Sequence, residues 1–276
     1  MNYRTRRTIN RVYKIVLYCL SIFTVLPLIF ILLYLLKLGF SAINFDIITK
    51  VSRPVGEPGG ALNSIVGTII LSTLAVLIAS PLSILSGILI SEYPQNPLSK
   101  ILEIWVKLIS GIPSIVIGIV TYLWLVKPVG RYSALAGSIS LAIMMIPNMV
   151  TSTAETMKMI PKEIREASLA LGANYGQTML KILIPVSLPG IISGLLTGVG
   201  RIAGETAPLL FTAFGNPYLS LNILKPMNTL SLLIYNYALS PYKEWHRIAW
   251  GAALILIFLA FTLNIISRRA IKRWTT

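Results

Sequence analysis

Six long apolar runs decide what this chain can become. They fall at about 15–36, 64–90, 108–126, 133–150, 186–214 and 248–266. At 1.5 Å per residue, each is long enough to cross roughly 30 Å of hydrocarbon as a helix. In that solvent every backbone polar group needs a partner within the protein, so an all-α membrane protein with six transmembrane helices is predicted. Composition agrees: 55% of the 276 residues are hydrophobic and only 12% are charged, against roughly 25% charged in ordinary soluble domains. The first run follows a basic N-terminus, as in a signal peptide. It is longer than a typical h-region and no small-x-small site follows closely, so it is read as a retained span.

A net charge of +15 invites nucleic acid as a partner. Its distribution points elsewhere, because the bases sit at the ends of the apolar runs. Six spans put both termini on one side. That side holds Arg4, Arg6, Arg7, Arg11, Lys14, Lys100, Lys158, Lys162, Arg165, Lys181, Arg268, Arg269, Lys272 and Arg273. The other side holds only Lys37, Lys50, Arg53, Lys127, Arg131, Lys225, Lys243 and Arg247. A multi-pass cell-membrane protein with both termini in the cytoplasm follows. The chain divides into a basic tail (1–13) that is solvated or in contact with lipid headgroups, and a first helix with an outside linker (14–60) rich in Gly and Pro. A five-helix block (61–267) and a second basic tail (268–276) complete it.

One stretch between the spans reads differently. Residues 159–189, MIPKEIREASLALGANYGQTMLKILIPVSLP, form a water-exposed helix that opens at Pro161, carries Glu163 and Glu166 early, and meets Gly172. A second short helix is predicted from about Asn174 to Leu183, stopping before Pro185. Such a helical pair between apolar spans has little core of its own, so it needs a partner. On the opposite side, residues 227–239 are predicted as a short amphipathic helix on the surface or dipping partway in. Glu103 and Lys107, four residues apart, are placed to pair on an interfacial helix leading into span three.

Span five carries Arg201 near its middle and Glu205 one turn on, the only charges deep inside any span. A charge at that depth costs at least about 2.5–3.5 kcal/mol, so it faces a cavity or a partner. The two either neutralise each other and lock helix packing, or line an anion path with Thr206 beside them. An arginine fork suits a tetrahedral oxyanion through paired hydrogen bonds. Glycines 194, 198, 200 and 204 allow a helix or a solute to approach closely. The chain has one cysteine, Cys19, and no disulfide framework or CxxC site. The lone His246 reads as an interfacial anchor beside Trp245. No cofactor is implied. There is no GxxxxGK[ST] loop, HExxH or GxSxG, so an enzyme is not indicated.

Glu166-Ala167-Ser168, then Gly172, then Ile182-Leu183-Ile184-Pro185 resemble the EAA motif of ABC-importer permeases, with Ser168 and Ile184 as the departures. GIPSIVIG (111–118) and RIAGETAPLLFTA (201–213) resemble phosphate-importer permeases of the PstA type. The resemblance implies a type I importer permease fold with a cytoplasmic coupling helix. It also implies a PstC-like sister permease, two PstB-like ATPase subunits that hydrolyse ATP, and an extracytoplasmic phosphate-binding protein. In that light Glu166, Ala167 and Gly172 belong to the ATPase contact, and Arg201, Glu205 and Thr206 to a phosphate path. The family commonly carries an arginine followed three residues later by an acid near the end of span four. Here Thr151 and Ala154 stand there, with Glu155 next. Read from the residues alone, a sulfate or molybdate permease and an ion-coupled carrier remain open.

Overall fold

The computed structural model describes residues 3–272. Arg273 and the side chains of Arg4 and Lys272, all counted in the charge bias above, lie outside the described residues. The chain enters as α1 (Tyr3–Ala42), so the basic N-terminal segment is the first turns of a long helix. Most of α1 is exposed apolar surface, including Phe23 and Phe30, as suits a lipid-facing span. It is held at its far end, where Gly39 sits against Leu254 of α13 (Lys243–Lys272) and the Tyr34 ring meets Trp250 edge-on at 5.5 Å. The Gly/Pro-rich linker folds back over α2 (Phe45–Thr49): Gly60 N–H donates to Val51 O and Ala61 N–H to Ile47 O.

Two helices form the frame. α3 (Leu62–Glu92) and α7 (Ala134–Lys158) lie side by side and run the same way, with Gly137 against Leu71 and Gly87 against Thr153. Parallel neighbours require the chain to cross back between them. α4 (Pro97–Gly111), α5 (Ser114–Thr121), a π turn (Tyr122–Val126) and α6 (Lys127–Val129) make that crossing, with a 105° bend after α4. The run at 108–126 is therefore not one straight span. Pro113 disfavours helical backbone at the residue before it, and Ile112 sits at ψ 129°. α4 lies across the bundle end. On it Glu103 pairs with Lys158 of α7 at 4.0 Å instead of with Lys107.

After α7 come the polar helix α8 (Lys162–Ala170) and α9 (Tyr175–Thr178). The expected stop before Pro185 does not occur. The helix widens into a π turn (Met179–Leu183), in which Ile184 N–H donates to Met179 O, and continues as α10 (Ile184–Ile202). The wider turn absorbs the missing proline donor, a usual cause of such bulges. α10 runs against α7 along a seam where Gly190 meets Thr156, Gly194 meets Ser152 and Gly198 meets Met145. The fifth apolar run then breaks after Ile202 and resumes as the short α11 (Ala207–Thr212).

Residues 227–239, expected on the surface or dipping partway in, pack their first half into the bundle and leave Tyr235 and Leu239 exposed. α12 (Leu230–Ala238) carries Leu230, Leu232 and Leu233, all fully buried. Thr68 of α3 accepts a hydrogen bond from Leu230 N–H at 2.9 Å. Leu71, Leu141, Met145, Ile202 and Leu209 fill the centre, and Ile47, Leu230, Leu233 and Ala252 form a second cluster around α12. Among the described residues, five helices are long and apolar enough to cross a membrane alone, and the count is six when the bent pair is taken as one span.

The entry of α12 depends on Gly67, where any Cβ would collide with the Asn228 carbonyl. Gly67→Ala should cost about 1–3 kcal/mol through overpacking. The check is a lowered Tm in detergent, and an unchanged Tm would mean that residues 227–230 do not sit on α3.

Candidate functional site

Two stretches far apart in sequence, 111–118 and 201–213, meet where the two broken spans cross. Gly118 of α5 has no room for a side chain, since its Cβ would stand 2.6 Å from the Pro208 Cα of α11. Ser114, in the first turn of α5, is within hydrogen-bonding reach of the Glu205 carboxylate. The Glu205 carbonyl accepts from the Ser231 hydroxyl of α12 at 2.7 Å. A helix end at bilayer depth leaves backbone groups without partners, and these contacts supply some of them.

Arg201 lies near the middle of the fifth apolar run but at a helix end. It occupies the last turn of α10, and Glu205 lies beyond that helix end. The pair survives the break: Arg201 Nε is 3.9 Å from Glu205 Oε1, an ion pair looser than a hydrogen bond. The Arg201 side chain is 53% exposed and that of Glu205 is 20% exposed. The guanidinium therefore stands at an open surface, while the acid is tucked into the break. Thr206 opens α11, its carbonyl accepting from the Leu209 and Leu210 N–H groups.

The glycines of this region divide into two sets. Gly194 and Gly198 close the seam with α7. Around Gly200 there is open space, and Gly204 has only the Arg201 carbonyl within reach of a Cβ, at 3.7 Å. The second set, with Arg201, leaves the backbone bare to whatever lies in front of the break. At the positions where charges were expected near the end of span four, Thr151 is exposed and Ala154 is buried against Ile90 and Val150. His246 bonds the Ser240 carbonyl at 2.7 Å.

The second candidate site is the polar loop on the face where α3 and α7 end. α8 buries only Ser168, whose hydroxyl meets that of Thr178 at 2.8 Å. The departure from alanine in the EAA pattern thus gives α8 a tie to α9. Glu166 and Ala167 are exposed, and Leu171 is 89% exposed. Leu169 and Leu171 thus leave apolar surface open at the end of a polar helix. Gly172 is the turn itself, with φ +85°. Its N–H donates to Leu169 O at 3.0 Å and Ala173 N–H to Ser168 O at 3.3 Å, the two bonds of a Schellman cap. Nothing lies within 4 Å of a Cβ there, so conformation, not crowding, demands the glycine. Asn174 and Gln177 then cap α9 reciprocally.

Sequence reasoning missed Arg165 and Glu92. Arg165 reaches Glu92 at the end of α3, with Nη2 to Oε1 at 2.7 Å and Nε to Oε2 at 3.3 Å. An acid in the last turn of a helix is unfavourable there and is the only sequence signal that it has a partner.

A helical bundle with two broken spans crossing at a half-open arginine, and one polar helical loop at the end of its frame, is the architecture of a type I ABC-importer permease. Residues 79–275 match the family model described as "Binding-protein-dependent transport system inner membrane component". The chain is 36% identical over 265 residues to the phosphate transport system permease protein PstA of Haemophilus influenzae, covering 95% of this chain and 94% of that protein. It is 34% identical over 274 residues to a probable phosphate transport system permease protein PstA of Methanocaldococcus jannaschii, covering 99% and 97%. In fold it is similar to a chain of a bacterial alginate ABC transporter solved in complex with its alginate-bound periplasmic protein, with a TM-score of 0.66, 18% identity and 98% of each chain covered. The chain belongs to the PstA family of phosphate transport system permease proteins, multi-pass components of the membrane.

The cap at Gly172 yields a direct check. Gly172→Val should destabilise the end of α8 by about 1–2 kcal/mol, the cost of left-handed backbone, while Gly172→Asn loses less. Amide exchange at residues 168–173 should speed up several-fold in the valine variant. Equal exchange in both variants would contradict the left-handed cap.

Proposed function

We propose that this chain is one half of the translocation channel of an ATP-driven phosphate importer and that it works by alternating access. The supporting observation is Arg201, half exposed at the crossing of two broken spans beside the bare backbone of Gly200 and Gly204. Phosphate passes in front of this guanidinium, which offers paired N–H donors, while Glu205 orients it and Thr206 begins the next helix. A sister permease of the PstC kind forms the other half. A phosphate-binding protein delivers the ion from outside the cell. The termini and α8 face the cytoplasm, where a pair of PstB-like ATPase subunits takes α8 through Glu166, Ala167 and the turn at Gly172.

In this reading the chain performs no chemistry on phosphate. It contributes a charged stop on the way and a lever that answers to nucleotide hydrolysis elsewhere. Arg201 and Glu205 together are neutral, so the pair tolerates the membrane without a bound ion. At 3.9 Å the carboxylate holds its partner loosely enough for a passing oxyanion to compete. The names of the relatives favour phosphate over sulfate or molybdate.

The test is labelled phosphate uptake by the reconstituted complex. A hydrogen bond to a charged group is worth about 1.5–3 kcal/mol, so Arg201→Ala should lower uptake by roughly 10- to 100-fold with assembly intact. Arg201→Lys should retain part of it, because a point charge replaces the fork. Uptake unaltered in Arg201→Ala would remove this residue from the path.

A further inference from the structure

We propose that Arg165 and Glu92 form the latch through which movement of α8 reaches the membrane-spanning frame. The inference rests on the reading of α8 as the ATPase-contacting lever and adds how the push leaves it. α8 is poorly attached to the rest of the chain. Its one buried residue, Ser168, faces α9, and its C-terminal cap is closed within its own turn. The chain itself ties α8 to α7 through residues 159–161 and to α9 through residues 171–174, but nothing in that path reaches α3.

Arg165 supplies the missing attachment. One guanidinium binds α3, α7 and the turn between α7 and α8 at once. It takes both carboxylate oxygens of Glu92 at the end of α3, and it donates to the Met157 carbonyl of α7 at 3.1 Å through Nη2 and to the Ile160 carbonyl at 2.7 Å through Nη1. Tyr175 of α9 donates its hydroxyl to the same Glu92 oxygen that Arg165 Nε reaches, at 2.8 Å, and its ring lies 6.0 Å from that of Tyr93. The ends of α3 and α7 are thereby joined to α8 and α9 through three side chains, of which Glu92 and Arg165 form the ion pair. Both are sheltered: the Glu92 side chain is 5% exposed and that of Arg165 is 19% exposed. A surface ion pair is soft and screened by salt, whereas a bidentate pair withdrawn from water holds a fixed geometry. The rigid frame lies directly behind it, since Gly87 of α3 packs on Thr153 and Val150 of α7 a turn and a half above.

A latch and a simple staple differ in what they do to energy transfer. Arg165 and Glu92 are positioning residues, touching neither the transported ion nor the nucleotide. The experiment measures phosphate moved per ATP hydrolysed by the complete reconstituted complex. The variants are Arg165→Ala, Glu92→Gln, Tyr175→Phe and the exchanged pair Glu92→Arg with Arg165→Glu. The expected result is an at least tenfold fall in phosphate per ATP for Arg165→Ala and a smaller fall for Tyr175→Phe. Part of the ratio should return in the exchanged pair. Where Arg165→Ala does not assemble, Tyr175→Phe carries the test, since it removes one hydrogen bond and no charge. An unchanged ratio in the assembled variants overturns the latch. A separate readout guards the underlying reading: a cysteine placed at exposed Ala167 should cross-link to the ATPase subunit. Failure of that cross-link removes the lever itself. A cross-link with an unchanged transport ratio removes only the latch.

Discussion

In hydrocarbon a helix cannot simply stop, because the amides and carbonyls at its end have no water to turn to. This chain interrupts two apolar runs, after Gly111 and after Ile202, and much of the rest of the fold shelters the second interruption. α5 and α11, the helices that follow the two breaks, lie against each other through Gly118 and Pro208. α12 is drawn in beside them so that Ser231 can take the Glu205 carbonyl, and α3 receives α12 through Gly67 and Thr68. The same broken backbone lets a charged residue stand at depth, since Arg201 at a helix end opens onto unoccupied space while the residues on its other side stay in contact with α7.

Lever and charged stop are ends of one rod. From Tyr175 the helix passes through a π turn and Pro185 and runs without a break to Ile202, so α8 connects at one end and Arg201 sits at the other. A helix of 28 residues spans about 42 Å. The π turn is the soft place in that rod, where an altered hydrogen-bond register and a proline coincide. In the proposed reading, a push at α8 reaches the anion path by the covalent chain and the α3–α7 frame by the Arg165–Glu92 pair.

The amino-acid sequence carried the fold class on length and apolarity alone. It also pointed to Arg201, Glu205 and the polar loop as candidates, because a charge in a span and a polar helix between spans are each expensive unless something accounts for them, but it did not point to the Arg165–Glu92 pair. Two of its errors share an origin. The run at 108–126 and the run at 186–214 are apolar throughout, and apolarity says nothing about direction, so neither the 105° bend at Pro113 nor the break after Ile202 shows in their composition. Prolines mark both, yet Pro81 and Pro147 lie within unbroken helices and Pro185 within a continuous one. A proline signals a place where a helix can break, and neighbours decide whether it does.

Local physics therefore determined what each segment is: which runs enter the membrane, why Gly172 ends α8 and why Asn174 starts α9, since each depends on residues a few positions away. Partnership belonged to the tertiary structure. Residues 227–239 have the pattern of a helix at the surface or partway in, and their first half becomes core because α3 offers Gly67. Glu103 turns to Lys158 although Lys107 is one turn off, and Glu92 finds Arg165 across 73 positions of chain. Hydrogen bonds and ion pairs act over a few ångströms of space, and only the folded bundle sets which residues lie within that distance.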